Sequence, residues 1–512
     1  MHRLAHLDRK FVWHPFTQMR DWLKSEPIVI VEGRGPVLRD LRGREYLDAN
    51  SSIWTNLHGH NHPRINAAIG RQLKRIAHSS ALGLANEPAS LLAQRLVSLA
   101  NPQLAGMKRG RGGRNSPGTA TLSHFLSDLP ASKSLRPLTK VFFSDDGSTS
   151  IEVALKLAYE YTRRTRGPKP KPVFLSLAGA YHGDTVGAVS LGHIDLFHRA
   201  YAGLTFKTER VMSPYCYRCP FNRAMPERMD ARVYRKCNWE CVGEVEKKFC
   251  AQTKRGRPVA ALVVEPLIQG AAGMIPQPPG WLLQVAAIAR KNDALLIADE
   301  VMTGFGRTGR LSTLNSQLST PLFACHHESV QPDLLCLAKG MTGGYLPMAA
   351  TLTTQRIFDA FLGEHHELKT FFHGHSYTGN QLGASAALAS LDLLQSAASF
   401  RARSRMEQTL ADELKVLRTL PAVGDIRQVG LIAGIELVRN WRTRERFGLG
   451  ERVGARVCEA MARRGVLTRP IGDVIVIMPP FCTTPAQIRR IVTALAEAVE
   501  EKAGSVNSSS HI

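Results

Sequence analysis

The feature that most constrains the fold is a series of short apolar runs in the middle of the chain, each ending in a polar or charged residue. Stretches with helical periodicity separate them, and this alternation is typical of parallel strands linked by helices. Because such sheets bind ligands at the carboxyl ends of their strands, we expect the chemistry there. The runs are "KVFFSD" (140–145), "PVFLSL" (172–177), "AALVVEP" (260–266), "ALLIAD" (294–299) and "DLLCLAK" (333–339).

The 512 residues are sufficient for two domains, and the pattern predicts an α/β fold. We expect a large domain of mostly parallel sheet over 61–370 and a smaller α+β domain over 371–505. Residues 1–60 would contribute to the smaller domain and to the active site, and 506–512 would be a disordered tail. Two segments have the composition of insertions: the basic stretch 103–138, which we predict to be disordered, and the cysteine-containing stretch 213–250.

The net charge of +23 raises the question of nucleic acid, since clustered Lys and Arg supply most affinity for phosphate. Much of this charge is spread over amphipathic helices, so we expect small-molecule substrates and no nucleic-acid partner. No uninterrupted apolar run reaches 18 residues, which predicts no membrane span. Charges and histidines occupy the N-terminal stretch where a signal peptide would be apolar, so we expect a cytoplasmic protein.

One glycine pattern resembles a nucleotide-binding motif, but the residues around it do not fit that motif. Gly304, Gly306 and Gly309 have the G-x-G-x-x-G spacing of a dinucleotide-binding turn. That turn requires an acidic residue about 20 residues later, on a following strand. Here the acids, Asp299 and Glu300, precede the glycines, and a polar loop follows. The pattern therefore does not predict a dinucleotide site.

A lysine and an aspartate each end a predicted strand. Lys339 could be a solvated loop lysine and Asp299 a helix cap, but lysine at such a position also suits a Schiff base with pyridoxal phosphate. That cofactor needs an acid to keep its pyridine nitrogen protonated, which Asp299 would supply. Gly147 and Ser148 lie at a strand-to-helix turn, where helix amides and a hydroxyl would bind a phosphate. Tyr181 offers an aromatic face for the cofactor ring.

These residues lie within motifs that resemble a known family. "IADEVMTGFGRTG", "PDLLCLAKGMTGG", "EPLIQGAAGM", "AYHGDT" and "FFHGHSYTGNQLG" are similar to motifs of the class III, fold-type I pyridoxal-phosphate aminotransferases. "VWHPFTQM", "SSIWTNLHGHNHP" and "LTRPIGDVIVIMPP" resemble the branch of biotin synthesis, which converts 8-amino-7-oxononanoate to 7,8-diaminononanoate. The resemblance covers nearly the whole chain apart from the insertions and the tail. It implies a fold-type I enzyme whose large domain binds pyridoxal phosphate.

The resemblance also implies a role for each matching residue. Lys339 would form the Schiff base and carry the proton, with Asp299 at the pyridine nitrogen, and these two with Tyr181 are the predicted catalytic residues. The phosphate would be bound by Gly147 and Ser148, and by His375 and Ser376 from the other subunit of a homodimer. The predicted substrate contacts are Phe16, Ile53, Trp54, Tyr181, Gly374 and Arg469, with Arg469 pairing with the substrate carboxylate.

Three positions depart from the family pattern and leave the amino donor open. Phe16 replaces a tyrosine, Ile53 a tryptophan, and Val476 stands where a further tyrosine is common. S-adenosylmethionine needs aromatic faces for its sulfonium and adenine, so these losses favour lysine as donor and leave S-adenosylmethionine as the alternative. Two other functions stay open: another class III aminotransferase acting on ω-amino acids or diamines, and a nucleic-acid-binding protein on an inactive aminotransferase fold.

Four cysteines of the second insertion have a spacing close to that of a zinc ribbon. Cys216, Cys219, Cys237 and Cys241 form C-x2-C-x17-C-x3-C, with one residue too many in the second pair. The spacing is compatible with a structural zinc ion and with four reduced thiols. Disulfides are not expected in the cytoplasm.

Overall fold

The structure is a computed structural model that describes residues 2–101, 136–309 and 321–508. Most of the basic stretch 103–138 lies outside these ranges. The final helix continues to Ser508, into the stretch predicted to be a disordered tail. No helix in the described ranges is both long and apolar enough to cross a membrane.

The strands alternate with helices along most of the chain. The strands are β1 Ile30–Arg34, β2 Val37–Asp40, β3 Glu45–Asp48, β4 Leu138–Ser144, β5 Val173–Leu177, β6 Glu209–Val211, β7 Val259–Val264, β8 Ile268–Gln269, β9 Ile275–Pro276, β10 Leu295–Asp299, β11 Leu334–Leu337, β12 Ala349–Thr354, β13 Val423–Val429, β14 Ile432–Leu437, β15 Val466–Leu467, β16 Pro470–Ile471 and β17 Val474–Ile477. The helices are α1 Arg3–Phe11, α2 Met19–Trp22, α3 Pro63–Leu73, α4 Glu87–Ala100, α5 Gly147–Arg166, α6 Val186–Leu191, α7 Asp195–His198, α8 Ala231–Tyr234, α9 Glu240–Lys254, α10 Trp281–Lys291, α11 Gln355–Asp359, α12 Gln381–Leu394, α13 Ala397–Glu413, α14 Val453–Arg463 and α15 Pro485–Ser508.

The described chain divides into two compact units. The smaller unit contains the described residues of 1–67, 226–230 and 401–512, and the larger one those of 68–225 and 231–400. The sequence predicts domain boundaries at 60 and 370, whereas these units change at 67 and 400. Each unit is described by itself below.

The larger unit is built on a seven-stranded sheet in the order β4-β12-β11-β10-β7-β5-β6. Every strand is parallel to the others except β12, which runs antiparallel to both neighbours. The five strand-like runs of the sequence are the strands β4, β5, β7, β10 and β11. The prediction of a large, mostly parallel sheet is therefore confirmed. The carboxyl ends of the six parallel strands share one edge, which assembles residues that are far apart in sequence.

Helix α5 packs on this sheet through one apolar face. Ile151, Ala154 and Ala158 recur at helical spacing and are buried in one cluster with Ile297 and Leu334 of the sheet. Full burial of a side chain as large as isoleucine contributes roughly 1.5–3 kcal/mol. Asp146 caps the helix, because its side chain accepts a hydrogen bond from the Thr149 amide at 2.9 Å. Packing and cap together fix where this helix begins.

The smaller unit contains two four-stranded sheets, β1-β2-β3-β15 and β13-β14-β17-β16. It also contains an unusual left-handed turn. Ser51, Ser52, Ile53 and Trp54 have φ angles of 48°, 47°, 64° and 68°. The carboxylate of Asp48 holds this turn by accepting hydrogen bonds from the Ser52 amide at 3.0 Å and the Ser52 hydroxyl at 2.9 Å.

Candidate active site

Asp299 is held in place at the carboxyl end of β10. It is buried, and its two carboxylate oxygens each have a donor. Oδ1 accepts a hydrogen bond from the Val301 amide at 3.1 Å, and Oδ2 lies 2.7 Å from Nδ1 of His182. Burial alone would lower the pKa of His182, but the hydrogen bond to Asp299 and the charges of Asp299 and Glu265 outweigh it and raise that pKa. The aspartate is thus a fixed acceptor beside a histidine whose pKa is raised.

Glu265 follows β7 and anchors the neighbouring loops. Its carboxylate accepts hydrogen bonds from the Gly270 amide at 2.7 Å and the Tyr181 amide at 3.4 Å. Burial raises its pKa to about 7, assisted by the charge of Asp299 and opposed by His182. Glu265 therefore connects the segment that carries Tyr181 and His182 to the end of β7. Neither Glu265 nor His182 was singled out from the sequence.

Lys339 lies two residues after the end of β11 and has an unusual backbone conformation. Its φ angle is 43°, in the left-handed region that non-glycine residues rarely adopt. Burial lowers the pKa of its amine, while the charges of Asp299 and Glu265 partly restore it. A lowered pKa leaves more of the amine uncharged, and the uncharged amine is the nucleophilic form.

The turn between β4 and α5 has the form of an anion cradle. The first amides of a helix have no intrahelical acceptor, and Gly147 and Ser148 provide two of them in the twenty-residue helix α5. A Cβ atom on Gly147 would lie 2.6 Å from Cγ1 of Val301, so only glycine fits beside the residues that follow Asp299. The cradle and Asp299 therefore lie close together. The Ser148 hydroxyl accepts a hydrogen bond from the Asp184 amide at 3.2 Å.

Tyr181 lies half-buried beside this turn. Its hydroxyl donates a hydrogen bond to Asp184 at 2.7 Å, and its ring is nearly parallel to that of His198, with centroids 6.2 Å apart. Burial, the hydrogen bond to Asp184 and nearby carboxylates raise the pKa of the phenol. The phenol therefore stays protonated at neutral pH, and its ring is held by its hydroxyl at one end.

The segment 374–376 lies in the same unit. Nδ1 of His375 is 2.7 Å from Oδ2 of Asp145, two residues before the anion cradle. The carbonyl of Ser376 is 2.8 Å from Nε2 of His78. Gly374 is exposed, and a Cβ placed on it would meet no atom within 4 Å. The segment is thus attached to the larger unit through the His375 side chain and the Ser376 carbonyl, while Gly374 remains exposed.

Four predicted substrate residues belong to the smaller unit. Phe16 and Ile53 expose 59% and 42% of their surface, so both are accessible within one chain. Trp54 donates from Nε1 to Asn50 at 2.8 Å. Arg469 is exposed between β15 and β16, and no carboxylate of the described chain forms an ion pair with it. An unpaired guanidinium suits a carboxylate ligand.

The four cysteines of the insertion do not form a metal site. The described ranges include all four, and no group of three or more His, Cys, Asp or Glu side chains in them is arranged to hold a metal ion. The sulfur of Cys237 instead accepts a hydrogen bond from Nη1 of Arg235 at 3.0 Å. Burial raises the pKa of Cys216 to about 12, and all nine cysteines are free thiols. The zinc site predicted from the spacing is therefore not supported.

Comparison with known proteins gives consistent matches over almost the full length. The sequence model of the family "Aminotransferase class-III" matches residues 19–499. The adenosylmethionine-8-amino-7-oxononanoate aminotransferase of Geobacter sulfurreducens is 44% identical over 497 residues, which is 97% of each chain. The enzyme of the same name from Nitratidesulfovibrio vulgaris is 45% identical, covering 97% of this chain and 81% of the relative.

Solved structures agree with these matches. The crystal structure of adenosylmethionine-8-amino-7-oxononanoate aminotransferase from Methanocaldococcus jannaschii aligns with a TM-score of 0.81 and 38% identity, covering 98% of this chain and 99% of that one. An omega transaminase from Pseudomonas jessenii, in complex with PMP, aligns with a TM-score of 0.82 and 25% identity over 99% of both chains.

Proposed function

Because the chain belongs to the class III aminotransferase family, we propose that it transfers an amino group to 8-amino-7-oxononanoate and forms 7,8-diaminononanoate for biotin synthesis. The observation that carries this proposal is the 44% identity to the relative from Geobacter sulfurreducens over 97% of both chains. The relative's name states its acceptor substrate. The assembly of Lys339, Asp299 and the anion cradle at one sheet edge supports an active enzyme.

The residues at this edge fit pyridoxal phosphate, the cofactor of the family. Gly147 and Ser148 would hold the phosphate, because the helix start offers two amides and Val301 leaves room only for glycine. Asp299 would accept a hydrogen bond from the ring nitrogen, and Tyr181 would stack on the ring. When bound, the cofactor supplies an electron sink that stabilises negative charge on the substrate carbon. The remaining steps belong to side chains of this chain.

Lys339 would move the proton during the transfer. Burial lowers the pKa of its amine, so more of the amine is uncharged and able to accept a proton and return it. Asp299 and Glu265 raise that pKa again, which keeps the protonated form accessible. Asp299 itself keeps one acceptor geometry because the Val301 amide and His182 hold its oxygens.

Arg469 would bind the carboxylate of the substrate. The support is its exposure and the absence of an ion-pair partner in the described chain. The matched control is Arg463 of the same unit, which pairs with Glu501 at 3.4 Å. We expect Arg469→Met to raise KM for 8-amino-7-oxononanoate at least ~10-fold, as loss of a charge-assisted pair predicts, and Arg463→Met to leave it unchanged. Equal KM values for the two variants would contradict this role.

A homodimer would complete the site. The support is the exposed apolar surface on either side of Gly374: Phe372 exposes 71% and Tyr377 62% of their surface. Contiguous exposed apolar surface is typical of protein–protein contact sites. In this assembly His375 and Ser376 would reach the phosphate site of the other subunit. Light scattering of the purified protein tests the assembly, and a monomer under assay conditions would contradict it.

The amino donor is S-adenosylmethionine in this proposal. The names of the relatives include it, whereas Phe16, Ile53 and Val476 favour lysine. Val476 lies in β17 with 1% exposure, so its side chain is part of the sheet packing. Val476 is therefore a weaker indication of lysine as donor than Phe16 and Ile53 are.

The experiment that tests the function supplies the purified chain with pyridoxal phosphate and 8-amino-7-oxononanoate, and with each donor at equal concentration. We expect 7,8-diaminononanoate, measured by mass spectrometry, to form faster with S-adenosylmethionine. Faster formation with lysine would overturn the donor. Turnover of ω-amino acids or diamines without turnover of 8-amino-7-oxononanoate would overturn the substrate. DNA binding without any transamination would indicate the inactive-fold alternative.

A further inference from the structure

The left-handed turn Ser51–Trp54 carries two of the predicted substrate contacts, Ile53 and Trp54. A histidine outside the turn is bound to the carboxylate that holds it. We propose that His60 is a positioning residue for substrate binding, which acts through Asp48 to keep the turn in its left-handed form. This inference rests on the proposed function, because it takes Ile53 and Trp54 as substrate contacts. It concerns how tightly substrate binds and not the chemistry of the transfer.

The turn needs support from its surroundings because its backbone conformation is uncommon. All four residues have φ angles between 47° and 68°, and consecutive left-handed L-residues are rare in proteins. Such a conformation persists only where the surrounding contacts determine it. The Ser51 hydroxyl donates to the Met478 carbonyl at 2.7 Å, and Ser52 donates its amide and its hydroxyl to Asp48 at 3.0 and 2.9 Å. Asp48 therefore supports the turn directly before Ile53.

His60 fixes the carboxylate on which the turn depends. Nε2 of His60 lies 3.0 Å from Oδ2 of Asp48, the oxygen that also accepts from the Ser52 hydroxyl. Oδ1 accepts from the Ser52 amide, so rotation of the carboxylate about its last bond would break these contacts together. Burial alone would raise the pKa of Asp48, but the hydrogen bonds from His60 and Ser52 outweigh it and lower that pKa. The carboxylate is therefore ionised at neutral pH and accepts from every one of these donors.

The side chain of Asn56 determines which nitrogen of His60 carries the hydrogen. The Gly59 amide donates to Oδ1 of Asn56 at 2.7 Å, and this leaves the Nδ2 group of Asn56 facing His60. Nδ2 is 3.0 Å from Nδ1 of His60, so Nδ1 accepts and Nε2 carries the hydrogen that is donated to Asp48. One tautomer of His60 therefore satisfies both neighbours.

His60 is itself held against strand β1. Its amide and its carbonyl bond to Gly35, which follows β1, at 2.8 and 3.0 Å. A Cβ atom on Gly33 of β1 would lie 2.8 Å from Cβ and 2.9 Å from Cγ of His60, so only glycine leaves room for the imidazole. The side chain of His60 exposes 17% of its surface. The imidazole thus has a fixed place, and its hydrogen bond gives Asp48 a fixed place as well.

The test compares side chains that keep or lose the donor to Asp48. Glutamine places its amide nitrogen near the position of Nε2, so His60→Gln keeps this donor. Asparagine reaches only the position of Nδ1, and phenylalanine fills the volume of the ring without a donor. We expect His60→Asn and His60→Phe to raise KM for 8-amino-7-oxononanoate about 10-fold, the size of one lost hydrogen bond to a charged group, with kcat nearly unchanged. His60→Gln should keep a KM close to that of the wild type.

Tyr46→Phe is the matched control, because it also removes a donor to a buried carboxylate of the same sheet. The Tyr46 hydroxyl, in β3, donates to Asp40 of β2 at 3.0 Å. We expect this variant to lower Tm and to leave KM unchanged. A second readout needs no substrate: hydrogen exchange of the amides of residues 51–54, measured by mass spectrometry. Exchange should be faster in the asparagine and phenylalanine variants of His60 and unchanged in His60→Gln and Tyr46→Phe.

Each outcome decides one question. If His60→Gln and His60→Phe agree in KM or in exchange, the inference is overturned, even if His60→Asn does not fold. An equal rise in KM for Tyr46→Phe and His60→Phe would also overturn it, since lost stability alone would then explain the effect. A wild-type chain without turnover of 8-amino-7-oxononanoate would instead overturn the proposed function, and exchange would still decide whether His60 holds the turn. Raised KM and faster exchange in His60→Phe, with wild-type values in His60→Gln, would support the inference.

Discussion

Two buried ionic groups, one in each unit, use similar side chains in different ways. In the larger unit His182 and Asp299 pair at the carboxyl end of β10. In the smaller unit the buried guanidinium of Arg427 donates to Asp425 at 2.8 Å and to Glu436 at 2.7 Å. All of these side chains expose less than a tenth of their surface. Burial alone therefore does not distinguish an active-site pair from a structural one.

The difference lies in position and in the kind of cation. Asp425 of β13 pairs in register with Glu436 of β14, and Arg427 projects from the same face two residues later. The group is thus enclosed within strands, and its cation cannot lose its proton. The pair in the larger unit is at a strand end, and the partner of Asp299 is a histidine, a side chain that can titrate near neutral pH. The two groups therefore differ in their place in the sheet and in whether the basic partner can lose its proton.

The largest effect expected is in the larger unit, from removal of the amine of Lys339. Lys339→Ala should reduce turnover at least ~10²-fold, because the same amine is the nucleophile and the proton carrier. Thermal unfolding should be nearly unchanged, since the amine is at the sheet edge. Steady-state product formation and Tm measure the two effects. Turnover close to the wild type would show that another group carries the proton.

The same substitution of one aspartate in each unit tests this difference between the two groups. Asp299→Asn should keep the fold and lower kcat by about 10²-fold or more, as loss of a stabilising charge at a reacting group does. Asp425→Asn changes the same atoms in the smaller unit and should leave kcat of the folded enzyme unchanged. The kcat of each variant measures the effect on catalysis, and circular dichroism checks that both variants are folded. Equal losses of kcat would contradict the division into active and structural groups.

Substitution of Arg427 in the smaller unit should affect stability rather than turnover. Arg427→Met leaves two buried carboxylates without their cation, so the free energy of unfolding should fall by about 3–5 kcal/mol. The exposed Arg418 is the control, and Arg418→Met should change it by less than ~0.5 kcal/mol. Urea unfolding followed by circular dichroism measures both. A loss for Arg427→Met no larger than that of the control would show that the triad is dispensable.

The same group should also change the pH dependence of stability. Burial raises the pKa of Asp425 to about 7 from its ordinary 3.8. Between these values the folded chain holds a proton that the unfolded chain has lost, so this group favours folding at low pH and loses that contribution as pH rises to about 7. Tm of Asp425→Asn should therefore fall less between pH ~4 and ~7 than Tm of the wild type. Parallel curves would contradict a raised pKa.

The sequence predicts the sheet well because strand ends are local features. Apolar runs with polar termini located β4, β5, β7, β10 and β11, and with them Asp299 and Lys339. His182 was not singled out although it follows Tyr181 directly, because its partner is 117 positions away in the chain. Glu265 had a signal of the same kind as Asp299, a carboxylate after a buried strand. Its partners are backbone amides, which no side-chain pattern indicates.

The role of the four cysteines was predicted less well, for a different reason. Spacing limits which sulfurs can meet, but it does not determine what each sulfur contacts. Arg235, only two residues before Cys237, donates to its sulfur, and this contact depends on the local backbone conformation. Prediction of the amino donor has the same limit. The residue type at position 476 does not show that its side chain is buried in β17.

The left-handed turn at Ser51–Trp54 has a practical consequence for redesign of the enzyme. Left-handed geometry costs roughly 1–2 kcal/mol for each L-residue, and branching at Cβ makes it least tolerable. Ile53 is branched, has a φ angle of 64° and is 42% exposed. Most unbranched replacements should therefore relax the backbone there, so a mutant library at this predicted substrate-contact position can be screened without first exhausting the stability of the scaffold.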